Sequence, residues 1–195
     1  VLDAIDELVA CDALVVVAGM EGALSSVVAG LTANSMRSLN GGWTGTWQGE
    51  IANEMFEAQN TILEALRAKL GQSRVTYLEG GNWEVAGVPQ QVQNADYVIL
   101  CLGETSYTED SGNLNDLYIS PAQTLLAQQI AAAGTPVILV LAEGRPRVIS
   151  KFENQMAAIV GAFLPGPMGG DAIADLLFGD ANFSGKLPFT YPRYP

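Results

Sequence analysis

Residues 95–117 read ADYVILCLGETSYTEDSGNLNDL, an apolar run closed by a glycine and followed by a polar loop that carries two glutamates and two aspartates. The run at 97–102 is too short for a helix. Its nearly continuous apolar character marks a strand covered on both faces, as in a parallel sheet. In open α/β sheets, ligands bind in the crevice beyond the carboxyl ends of the strands, and Glu104 is the first side chain past this end. A carboxylic acid there suits proton donation. Such a donor needs desolvation or nearby like charge to keep its proton, and Glu109 and Asp110 follow on the same loop.

A second apolar run, PVILVL at 136–141, also ends in a polar loop, Glu143-Gly144-Arg145-Pro146, so Arg145 is expected at the same edge as Glu104. Residues 13–18, with three consecutive valines, make a third buried strand that should pair within the same sheet. A right-handed crossover then puts Gly19 at the same edge as Gly103, and residues 20–30 form a helix on one face. From its own residues alone, however, the stretch 20–31 is either that helix or, in its last part, a further strand. Residues 1–9 have helical spacing ahead of the first strand.

The stretch at 32–49, TANSMRSLNGGWTGTWQG, has no period and many Gly, Asn, Ser and Thr residues, which gives a long loop. Trp43, beside Gly41 and Gly42, either plugs the domain's own core or offers an apolar face to a ligand, and Trp47 is expected to be packed. TILEALRAKL at 61–70 is an amphipathic helix stopped by Gly71, with residues 50–59 as a possible extension. Residues 74–78 alternate like a strand, and 79–93 are either a loop or a short helix. Ser120 with Pro121 starts a helix that runs to Gly134. Residues 147–153 read as a short helix, 157–164 as a strand, and 170–178 as a helix closed by Gly179. Near the end, 187–191 is a candidate edge strand. Strands alternating with helices give one α/β domain over 1–195: a mostly parallel sheet with helices on both faces, flavodoxin-like or of a related doubly wound type.

The 195 residues are 49% hydrophobic, enough for one core, and the net charge of -12 with 9 scattered basic residues argues against nucleic acid and anionic membrane surfaces. No run of 18 apolar residues appears, and Asp3, Asp6 and Glu7 stand where a signal peptide would be basic. The two cysteines, Cys11 and Cys101, read as small core residues rather than a disulfide framework. The chain contains no histidine. That excludes Ser-His-Asp and Cys-His catalysis and histidine-ligated zinc within it, and leaves acid-base work to carboxylates. The glycine patterns that cradle nucleotide phosphates are absent too, so no cofactor and no metal site is expected.

SLNGGWTGTWQG, TILEALRAKL, VILCLGETSYTEDSGNLNDL, PVILVLAEGRPRVIS and FLPGPMGGDAIADLLFGDANFSGKLPFTYPRYP together resemble the C-terminal α/β sandwich domain of glycoside hydrolase family 3, over about residues 33–195. The resemblance implies a sugar or glucoside ligand and a TIM-barrel partner domain that supplies an aspartate nucleophile. It also implies that Glu104 is the acid/base and that Trp43 is a wall of the sugar cleft. Glu109 and Arg145 join Trp43 as candidate substrate-binding residues. Retaining hydrolysis needs two carboxyl groups about 5–5.5 Å apart on opposite sides of the sugar, so this domain is expected to be inactive by itself. Alternatives are a non-catalytic sugar-binding module or a structural chimera. CDALVVVAGMEGALSSVVAGL resembles a strand, glycine loop and helix of the aminoimidazole ribonucleotide carboxylase-like family, which suggests a foreign unit over 1–31 joined near 30–33.

Overall fold

The computed structural model describes residues 14–18, 60–79, 88–104, 112–166, 168–187 and 189–194. Five strands form one sheet: β1 (Leu14–Ala18), β2 (Val75–Glu79), β3 (Tyr97–Gly103), β4 (Val137–Ala142) and β5 (Ala158–Gly161). Every pairing is parallel, and the spatial order is β2-β1-β3-β4-β5. This is the flavodoxin-like order, with its topological switch point between β1 and β3. β1 pairs with both β2 and β3, as expected of the valine run. The segments 1–9, 20–31 and 32–49, and with them Trp43 and Trp47, lie outside the described residues.

Strand alternation divides the core in two. Ile99 and Cys101 of β3, with Ile138 and Val140 of β4, face α1 (Ile62–Leu70) and α4 (Gly169–Phe178) through Ile62, Leu66, Ile173 and Leu177. Val98, Leu100 and Leu102, with Leu139 and Leu141, face α3 (Pro121–Ala132) through Leu126 and Ile130. Helices therefore cover both faces. A four-residue helix, α2 (Gln90–Gln93), precedes β3 and is the only regular structure among the described residues of 79–93 that follows β2. Cys101 is fully enclosed, and burial pushes its thiol up to about 12, so it is a small inert core residue.

Local chemistry sets the helix ends. Thr61 caps α1: its hydroxyl accepts from the Glu64 N–H at 3.2 Å, and the Glu64 carboxylate accepts from the Thr61 N–H at 2.9 Å. Gly71 ends the helix at φ 87. α3 begins at Ser120, whose hydroxyl accepts from the Gln123 N–H, with Pro121 next in the first turn. α4 is closed by Gly179 in the left-handed conformation.

α4 lies against the start of α1, where Asn60 donates to Asp171 at 2.8 Å. A Cβ at Gly170 would stand 2.2 Å from the Asn60 carbonyl oxygen, so these two backbones meet only because residue 170 lacks a side chain. Gly170→Ala should cost about 1–3 kcal/mol in a urea melt, because a backbone obstacle forces both helices to shift. Gly185→Ala, where an added Cβ meets nothing, is the control and should stay within about 0.5 kcal/mol of the parent.

Three expectations need correction. Residues 147–153 are not a helix: Val148 N–H donates to Leu117 O at 2.7 Å and Ile119 N–H to Val148 O at 3.3 Å, making an isolated parallel bridge between Tyr118 and Val148. Burial of Val148, Ile149 and Phe152 together favours this extended path, and helical structure is limited to the single 3-10 turn Glu153–Gln155. The strand expected at 157–164 is only Ala158–Gly161, since Phe163 turns the chain at φ 53. Of 187–191, the described residues 187 and 189–191 form no strand, and Leu187 and Phe189 are exposed. Pro188 and Pro192 have no N–H with which to join a ladder.

Candidate functional site at the carboxyl edge of β3 and β4

The register Gly103↔Ala142 makes Glu104 and Glu143 the next residue on each of two adjacent strands. Two carboxyl groups therefore leave the sheet side by side, next to the switch point. The approach is close at Gly103, where a Cβ would lie 2.1 Å from the Ala142 carbonyl oxygen. Glu104 N–H donates to that same oxygen at 3.0 Å. From α3, the Gln123 side chain closes the end of β3: its carbonyl accepts from Gly103 N–H at 2.9 Å and its amide donates to Gly103 O at 3.0 Å. Strand pairing and a buried amide thus fix where Glu104 begins.

Two arginines from the loop after β4 converge on Glu104. The Arg147 guanidinium pairs with Glu104 Oε1 and also donates to the Leu117 and Tyr118 carbonyls. Arg145 Nε lies 3.5 Å from the same carboxylate oxygen, and its Nη1 donates to the Gly112 carbonyl. Glu104 is 9% exposed. The loop leaving β3 returns as residues 112–118, and the arginines stitch that return to the loop after β4.

The structure brings the expected pair Glu104 and Arg145 to one edge, while Glu109 and Trp43 lie outside the described residues. Two residues at this edge were not singled out from the sequence, Glu143 and Arg147. Glu143 is 1% exposed, and neither of its carboxyl oxygens has a hydrogen-bond partner of good geometry among the described residues. Burial pushes its carboxyl up to about 8, the Glu104 charge adds to this, and Arg147, through its backbone N–H and its charge, opposes both. The signal was present in the chain: both apolar runs, VILCLG and VILVLA, are followed immediately by Glu. A separate groove of about 800 Å³ beside edge strand β5, lined by Ile159, Phe163, Leu176, Phe183 and Leu187, includes none of these charged residues.

A doubly wound α/β domain with a carboxylate and arginine cluster at its switch-point edge is the class that fold and geometry define. Residues 20–195 match the glycosyl hydrolase family 3 C-terminal domain. The chain belongs to that family and is its C-terminal α/β domain. It is 36% identical over 177 residues to the lysosomal beta glucosidase of Dictyostelium discoideum, matching over 85% of this chain and 22% of that protein. With the periplasmic beta-glucosidase of Salmonella typhimurium it shares 30% identity over 85% of this chain and 24% of the relative. The crystal structure of a β-glucosidase from Listeria innocua in complex with isofagomine superposes with a TM-score of 0.72 at 24% identity, covering 93% of this chain and 23% of the other. The chain thus spans less than a quarter of the length of the two curated relatives. The family match takes in residues 20–31, part of the stretch whose likeness to a carboxylase-like family suggested a junction. Among the described residues no helix is long and apolar enough to cross a membrane.

Proposed function

We propose that this domain supplies one wall of the active site of a β-glucoside hydrolase, with the carboxyl edge of β3 and β4 facing the sugar. The observation that carries the reading is the Glu104, Arg145 and Arg147 cluster at the switch-point edge of a family 3 C-terminal domain. The attacking carboxylate comes, on this reading, from a barrel domain, and residues 1–195 alone do not turn over. Trp43 stacks on the sugar, and Arg145 holds the loop that carries the catalytic groups.

Of the two glutamates in GETSYTE, Glu104 has its carboxylate engaged by a guanidinium and is nearly enclosed, which leaves it poorly placed to reach a glycosidic oxygen. We assign it the role of anchor for the loop and give the proton-donor role to Glu109. The resemblance alone had implied the donor role for Glu104. Hydrolysis of a nitrophenyl β-glucoside by the chain as encoded, and none by residues 1–195, is the expected result. A fully encoded chain without hydrolysis would overturn the glycosidase reading, and turnover by 1–195 would overturn the shared site.

A further inference from the structure

The reading above leaves Glu143 without a task, although it is the most enclosed ionisable group among the described residues at the edge. A buried carboxylate that draws only on the Arg147 backbone N–H, in poor geometry, is costly, and such a group is kept only when its surroundings hold it as the neutral acid or give it a further partner. The Arg147 guanidinium, whose charge also acts on Glu143, is already committed to Glu104 and to the Leu117 and Tyr118 carbonyls. We infer that Glu143 is a positioning residue that acts through Arg147: it occupies the space beside Glu104 without competing for the guanidinium, so Arg147 stays on Glu104 and on the returning loop. This rests on the assignment of the β3–β4 edge as the candidate site.

The consequence is a coupling between one proton and the geometry of the loop. With the proton in place, Arg147 serves one carboxylate. Once the proton leaves to solvent, two adjacent carboxylates compete for it, and the Tyr118–Val148 bridge loses its neighbouring clamp. Among the described residues, the charged groups that act on Glu143 are Glu104 at the end of β3 and Arg147 on its own loop, while Arg145 reaches Glu104 from that same loop. α3 carries no ionisable side chain. Burial favours the protonated form in the closed arrangement, so opening of the bridge should become easier as pH rises towards 8 and level off above it.

Amide hydrogen exchange of the chain as encoded tests this. Protection of the Val148 and Ile119 N–H groups, which form the bridge, should fall by up to about tenfold per pH unit between about pH 5 and 8, after correction for intrinsic exchange. The Asn94 N–H, which donates to Gln90 O at the end of α2, should show no such slope. In Glu143→Gln, and in Glu143→Met should the amide variant fold poorly, the bridge slope should vanish. In the same variants the alkaline limb of the kcat/KM profile on a nitrophenyl β-glucoside should move to higher pH. Bridge protection that is independent of pH in the parent, or a slope that survives in both variants, overturns the inference. Absence of hydrolysis at every pH overturns the glycosidase reading instead, because the exchange result is read independently of turnover.

Discussion

Replacing Glu109 with glutamine should lower kcat/KM on a β-glucoside with a poor leaving group by about 10²–10⁴-fold, the range for a lost general acid, with little change in melting temperature. A good leaving group needs less protonation, so the loss there should be much smaller. Glu104→Gln should behave in the opposite way. It removes the carboxylate that faces Arg147 and Arg145 in a site with side-chain exposures of only 9% for Glu104 and 12% for Arg147. Breaking one partner of such a pair costs about 3–5 kcal/mol, because the guanidinium keeps its desolvation and loses its counter-charge. Arg147→Lys should not substitute, since a compact ammonium cannot reach one carboxylate and two carbonyls at once. Rate measurements with two leaving groups, set beside urea melts, separate the roles. A leaving-group-dependent rate loss in a fully stable Glu104→Gln, with Glu109→Gln near the parent, would return the donor role to Glu104.

The second large effect is on stability against pH. In the unfolded chain Glu143 ionises near 4.5, whereas in the folded domain burial holds its proton up to about 8. Between those values the folded state binds a proton that the unfolded state has released, so stability falls as pH rises through the window. At 1.36 kcal/mol per pH unit the decline sums to roughly 5 kcal/mol, complete near pH 8 and absent below about 4.5. Glu143→Gln has no such proton. The difference in unfolding free energy between variant and parent should therefore move in the variant's favour from about pH 5 to about pH 8.5, whatever constant cost the amide carries. A flat difference across that range would mean that Glu143 is not a buried neutral acid.

The sheet was legible because its strands have little else they can be. VILCLG and VILVLA are too short for helices and too apolar to expose, and they are β3 and β4 within a residue at either end. The same reasoning found the valine run as β1, amphipathic spacing with a glycine stop located α1, and the Ser-Pro start located α3. What failed was local structure governed by distant partners. Residues 147–153 carry no signal that Val148 will bridge to Tyr118, because that choice depends on burial of Ile149 and Phe152 and on the Leu117 and Tyr118 carbonyls, 30 and 29 positions away, being within Arg147's reach, which is a long-range contact rather than a propensity. At the site, Glu104 and Arg145 were legible as edge residues, since both follow apolar runs. Which arginine would take the carboxylate was not, because in an irregular loop neighbouring side chains point in unrelated directions. Glu143 was hidden by its chemistry: in sequence a glutamate before Gly-Arg-Pro reads as a solvated loop residue, and only the register Gly103↔Ala142 turns it towards the interior.

The position of β1 inside the sheet, flanked on both sides, affects how the chain is made. First in sequence among the five strands, it has its hydrogen-bonding partners only in Val75–Glu79 and Tyr97–Gly103. During synthesis LVVVA therefore emerges with both edges unpaired, and it must wait for a long intervening stretch before either neighbour exists. Loop closure has to be met before any of that apolar strand is rewarded by pairing, which makes nucleation slow compared with a meander of sequential hairpins. A nascent chain that ends before Gly103 holds a strand with at most one flank covered, the condition in which like strands find one another. The whole step from β1 to β3 is thus the interval in which the growing domain is exposed to association with other copies of itself, and it ends only when Gly103 has been made.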